Sequence, residues 1–114
     1  MTQKESYKVE WRDIPGYAGF YKVSNTGLVL SFRGRKQKLL SINFAGTNKA
    51  MTAVVCLTNL GKQTVRTVAS LMLESFVRSP NYGEVAFNKS LNKEVLFLEN
   101  LEWATRSKIM SMVL

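Results

Sequence analysis

Hydrophobic and polar positions alternate in short runs through the first half of the chain and change to helical spacing near residue 68. Residues 1–9 are polar and uncommitted, so they read as a flexible N-terminus, with a single folded domain expected over residues 10–114. Trp11, Ile14, Tyr17, Phe20, Tyr21 and Val23 open a dense apolar stretch punctuated by Pro15, Gly16 and Gly19. Phe20 to Ser24 and Leu28 to Phe32 read as strands of a hairpin, because the Asn25-Thr26-Gly27 step between them tolerates the positive φ of a tight turn. A third strand is expected within Met51 to Thr58, and Asn59-Leu60-Gly61-Lys62 turns the chain into a fourth, Gln63 to Thr67. Val68, Leu71, Met72, Ser75 and Phe76 then fall at helical spacing, with Thr67 as a candidate cap. Ser79-Pro80-Asn81-Tyr82-Gly83 stops that helix. Val85 to Phe87 reads as another strand, Leu96-Phe97-Leu98 and Leu101 to Trp103 as buried anchors, and Arg106 to Val113 as a short terminal helix. Trp11 and Trp103 both have apolar neighbours and are expected in the core.

Composition narrows this picture. A chain of 114 residues with 46% hydrophobic and 21% charged residues has the material for one core. Its single cysteine, Cys56, has no partner for an internal disulfide and falls in the apolar run Ala53 to Leu57, where a buried thiol is expected. No run approaches the ~18 apolar residues of a membrane span. A cytoplasmic protein without a membrane partner is therefore expected.

Charge changes the picture most. Lys and Arg outnumber Asp and Glu by 16 to 8, a net charge of +8 that favours polyanions. Arg33, Arg35, Lys36 and Lys38 follow the first hairpin with Gly34 among them, which reads as a flexible cationic loop able to follow a phosphate backbone.

Residues 11–29 form an ordered set of motifs: a tryptophan, the Ile14-Pro15-Gly16-Tyr17 step, then Tyr21-x-Val23-Ser24-Asn25-x-Gly27 and a following valine. This set resembles the nuclease-associated modular domain that precedes the HNH domain of phage-type homing endonucleases. Val68 to Phe76 is similar to that family's Val-His-Arg helix, and Asn100-Leu101-Glu102-Trp103-Ala104-Thr105 to its Asn-Leu-x-Trp-x-Thr ending. Together the matches span roughly residues 10–110. The resemblance implies an α+β fold, a small antiparallel sheet followed by an HNH-like ββα-metal unit, with Asn100 holding a loop through hydrogen bonds.

The resemblance also implies a general-base histidine and a divalent metal held by Asp and by Asn or His. Here the histidine and arginine positions carry Ala69 and Ser70, the Asp-His pair falls on Phe87 and Asn88, and the late ligand on Ile109. The sequence contains no histidine and one aspartate, Asp13; a shifted register would reach only Asn92, Glu94 or Glu99. From these substitutions the expectation is a degenerate unit lacking metal, without cofactor, that is not an enzyme. Its expected role is non-catalytic binding of nucleic acid, DNA more than RNA, through Arg33, Arg35, Lys36, Lys38, Lys89 and Lys93. Longer relatives place a helix-turn-helix after the HNH part, beyond the position of Leu114 here, so weak sequence specificity is expected. The alternative is a protein-interaction module, in which an apolar face of Phe87, Leu96 and Ile109 meets a host or phage protein and modulates, for example, a host enzyme or defence complex.

Overall fold

In the computed structural model the described residues are 8–45, 52–90 and 96–113. The fold is α+β. Strands β1 (Trp11–Asp13), β2 (Tyr21–Ser24), β3 (Val29–Ser31) and β4 (Lys38–Leu39) form an antiparallel meander in sequence order. Strands β5 (Asn43–Ala45), β6 (Thr52–Asn59) and β7 (Lys62–Thr67) form a second antiparallel sheet. Helix α1 (Val68–Phe76) follows, then the antiparallel ribbon β8 (Glu84–Asn88) and β9 (Leu101–Thr105), with a 3-10 turn at Leu98–Asn100 and helix α2 (Arg106–Val113). The segment β8-β9-α2 thus has the expected ββα order.

Helix α1 begins where it does because Thr67 stays extended, at φ −75 and ψ 139, and its Oγ1 accepts the Ser70 amide at 3.3 Å. Its Val68, Leu71, Met72 and Leu73 are buried, and it packs on β1, β2, β6, β7, β8 and β9. One core therefore serves all three sheets, running from Ile14, Val23 and Val29 through Val55 and Leu57 to Leu101 and Trp103. Among the described residues no helix is long and apolar enough to cross a membrane.

Several expectations need correction. The strands before α1 divide into two sheets and do not form one, and the short strands β4 and β5 occupy a region that the sequence presents as loop. Cys56 is exposed: β6 buries Ala53, Val55 and Leu57 on one face, and period-two alternation turns Cys56 to the other. Trp11 is half-buried at the start of β1 and lies outside the core, whereas Trp103 is buried and its Nε1 donates to the Arg78 carbonyl at 2.8 Å. Phe97, read as an anchor, is exposed.

Candidate nucleic-acid interface

The Ser-Asn-x-Gly step of the first hairpin is structural. Ser24 Oγ accepts the amides of Thr26 and Leu28 at 3.1 and 3.0 Å. Asn25 ties the N-terminal strand to the turn: its Oδ1 accepts the Glu10 amide and its Nδ2 donates to the Lys8 carbonyl, both at 3.0 Å. The Asn25 carbonyl accepts the Leu98 amide at 3.0 Å, which brings the 3-10 turn onto the hairpin. Gly27, at φ 89, makes this approach possible, since a Cβ there would lie 2.9 Å from Leu96 Cβ. Asn100 also holds the loop, with its main chain: its carbonyl accepts the Lys89 amide at 2.7 Å and its amide donates to the Phe97 carbonyl.

The cationic segment between β3 and β4 is more ordered than a free loop. The Arg33 guanidinium lies 4.7 Å from the centroid of the Phe20 ring and donates to the Thr58 carbonyl at 3.3 Å. Arg35 and Lys36 are exposed, and Lys38 is exposed within β4, where it pairs with Ser31 across the sheet. Thr58 also donates its amide to Tyr21 Oη at 2.9 Å, and Asn59 Nδ2 donates to the Gly16 carbonyl at 3.0 Å. These bonds seat the tip of the β6–β7 hairpin, with exposed Lys62, beside the cationic segment. Lys89 is exposed immediately after β8 in a different sheet, and Lys93 lies outside the described residues.

Sequence reasoning missed how unevenly the charge is distributed, although the signal was there to read. No Asp or Glu occurs between Asp13 and Glu74, so the whole net charge of +8 arises in that interval and the remainder of the chain is neutral. Of its described cations, Lys22 pairs with Asp13 at 3.0 Å and Arg66 with Glu74 at 2.5 Å. Arg33, Arg35, Lys36, Lys38 and Lys62 have no carboxylate partner among the described residues. Unpaired cations on one acid-free stretch create a field that attracts phosphate.

The positions that the resemblance assigns to nuclease chemistry meet between β6, α1 and β8. Ala53, Ala69, Phe87, Asn88 and Leu96 line a hollow of about 100 Å³, beside a wider cleft of about 420 Å³ that adds Ser70, Glu74 and Glu84. Ile109 is half-buried on α2. Both carboxylates are engaged, Glu74 by Arg66 and Glu84 by Arg78 at 2.8 Å. Asn88 Oδ1 accepts the Ser90 amide at 2.8 Å. Among the described residues no three His, Cys, Asp or Glu side chains converge as a metal cluster. The Phe87 and Ile109 side chains carry no donor atom, so these positions do not reproduce the implied ligand set.

Residues 10–58 match the NUMOD4 motif. The chain is 34% identical over 98 residues to DNA endonuclease I-HmuI of Bacillus phage SP01, a match covering 86% of this chain and 53% of the endonuclease. The fold matches a solved structure described as DNA binding and cleavage by the HNH homing endonuclease I-HmuI, with a TM-score of 0.78, 32% identity, and coverage of 90% of this chain and 56% of that one. The chain is homologous to an HNH homing endonuclease. It spans about half the length of that relative. A nucleic-acid-related function follows from this homology.

The homology corrects the expectation that the chain is not an enzyme. The relative is a DNA endonuclease, the match covers most of this chain, and nothing in it shows that catalysis has been lost. That expectation equated the loss of the family's base and metal ligands at the matched positions with the loss of activity. A sequence without histidine excludes an imidazole base from these 114 residues, but carboxylates also serve as general bases.

Proposed function

We propose that this chain is the DNA-engaging portion of a homing-type DNA endonuclease, holding duplex DNA by phosphate contacts from the β3–β4 segment and the β6–β7 hairpin. The supporting observation is the confinement of the net charge of +8 to the acid-free interval, with Arg35, Lys36, Lys38 and Lys62 exposed and without carboxylate partners among the described residues. Cations so placed release condensed counterions when they meet phosphates, which makes the binding steeply salt-dependent. Lys89, beside the Asn88 rim of the hollow, extends the proposed contacts toward the ββα unit. DNA is favoured over RNA because the homologue is a DNA endonuclease.

The test is a salt titration of duplex binding. Replacing Arg35, Lys36 and Lys38 by Gln should weaken binding to all sequences alike and reduce the log-log salt slope by about 0.9 for each phosphate no longer neutralised. Arg33 is left intact in this variant because it also contacts Phe20 and Thr58. If the unaltered protein binds no duplex at about 50 mM salt, the proposal fails and the protein-interaction alternative replaces it.

We extend the proposal to DNA cleavage as the activity of the whole protein. With no histidine in this sequence, the general base within it would have to be an oxygen base such as a carboxylate. Supercoiled plasmid incubated with magnesium or manganese should be nicked. Plasmid left intact under conditions that support binding would confine this chain to the binding role.

A further inference from the structure

Leu60 combines two features that folding alone does not favour. It occupies the first turn position between β6 and β7 at φ 54, followed by Gly61 at φ 79, and this pair of positive φ values ordinarily selects Asn-Gly. Leucine is strained in the left-handed region because its Cβ crowds the backbone. Its side chain is also 95% exposed, so no packing offsets the strain. A lone exposed leucine is ordinary on a protein surface. A strained one at the apex of a projecting hairpin requires another reason.

The surroundings of the hairpin supply one. The residues just before the turn are fastened to the first sheet through Thr58 to Tyr21 Oη, Asn59 to the Gly16 carbonyl, and Arg33 to the Thr58 carbonyl. The apex is therefore held in a fixed place relative to the cationic segment. The Arg33 guanidinium is bonded to the Thr58 carbonyl two residues before Leu60, and exposed Lys62 follows two residues after it, so the apolar apex is bracketed along the hairpin by cations suited to phosphates. Apolar side chains inserted between base steps unstack and bend a duplex, and flanking cations hold the bent backbone.

We infer that Leu60 is a wedge that enters a groove of duplex DNA and presses between adjacent base pairs while Arg33 and Lys62 hold the neighbouring phosphates. This rests on the DNA-binding reading above. The apolar apex distinguishes it from phosphate contact alone, which would be served equally by asparagine at this position.

The experiment compares the unaltered protein with Leu60→Asn and Leu60→Met. The probe is an end-labelled duplex selected by the unaltered protein from a random-sequence pool, read for affinity and for bending by end-to-end energy transfer. Asn accepts positive φ, so Leu60→Asn should melt at the same or a higher temperature. It should bind about ten-fold more weakly, with an unchanged salt slope and less bending. Leu60→Met, which keeps a long apolar side chain, should restore affinity and bending. Equal affinity and bending by Leu60→Asn, or an unbent duplex with the unaltered protein, overturns the wedge and leaves the DNA-binding reading intact. No duplex binding by the unaltered protein overturns both.

Discussion

The two tryptophans differ in what surrounds them. Trp103 is 8% exposed within the core formed by α1 and β9, and its indole N–H is satisfied by the Arg78 carbonyl at 2.8 Å. Trp11 is half-buried in β1, whose other residues are exposed. Trp103→Ala should destabilise the protein by about 3–5 kcal/mol, a large share of the stability of a domain this size. Trp11→Ala should cause less than half that loss. Urea unfolding curves measure both, and a larger loss for Trp11→Ala would show that the core is misassigned.

At the scale of elements, α1 is joined to β8 by a clamp around Glu84. Arg78 donates to both carboxylate oxygens, at 2.8 and 3.2 Å, and the Asn81 amide donates to Oε1 at 2.7 Å. The hydrogen bonds from Arg78 first, then the Asn81 amide, hold the Glu84 carboxyl below its usual range, and the same contact with Glu84 raises Arg78. A carboxyl whose folded-state pKa is depressed contributes its full stabilisation above the unfolded value, about 4.3, and loses it as pH falls through the lower folded value. The difference in melting temperature between the unaltered protein and Glu84→Gln should therefore be greatest near neutral pH and shrink below about pH 4. A gap that stays constant down to about pH 3 would show that the ionised carboxylate contributes nothing to the clamp.

For the molecule as a whole, the NUMOD4 match at residues 10–58 ends inside β6, which runs Thr52–Asn59. The motif is thus not a folding unit here. Its buried Ile14, Val23, Val55 and Leu57 share one core with Val68, Leu71, Met72 and Leu73 of α1, which lies beyond it. A fragment of residues 8–59 lacks that helix and the β7 partner of β6, and should be unfolded by circular dichroism, whereas the full chain should melt in one transition. A cooperative melt of the fragment would refute this dependence.

Local pattern determined much of the fold. The Asn25-Thr26-Gly27 hairpin, the β6–β7 turn, α1 with its Thr67 cap, β8 and α2 follow from periodicity and turn chemistry, which act over a few residues, whereas Leu101 to Trp103 read only as buried anchors and became strand β9 by pairing with β8. The cationic run Arg33, Arg35, Lys36 and Lys38 was visible in the sequence, where Lys62 was not singled out, and the homologous lineage was legible through the ordered motifs of residues 11–29. Other features depended on contacts distant in sequence. Strands β4 and β5 are too short to carry a period and exist through pairing with β3 and β6. The sequence showed an apolar run around Cys56, but only the packing of α1 decided which face of β6 was buried. Arg33 read as a free loop charge until folding placed Thr58 and Phe20 against it. Leu60 read as one residue of a turn, and its isolation at a fastened apex is a product of tertiary structure. Burial and anchoring are properties of surfaces brought together from distant parts of the chain, and pattern within a short window does not contain them.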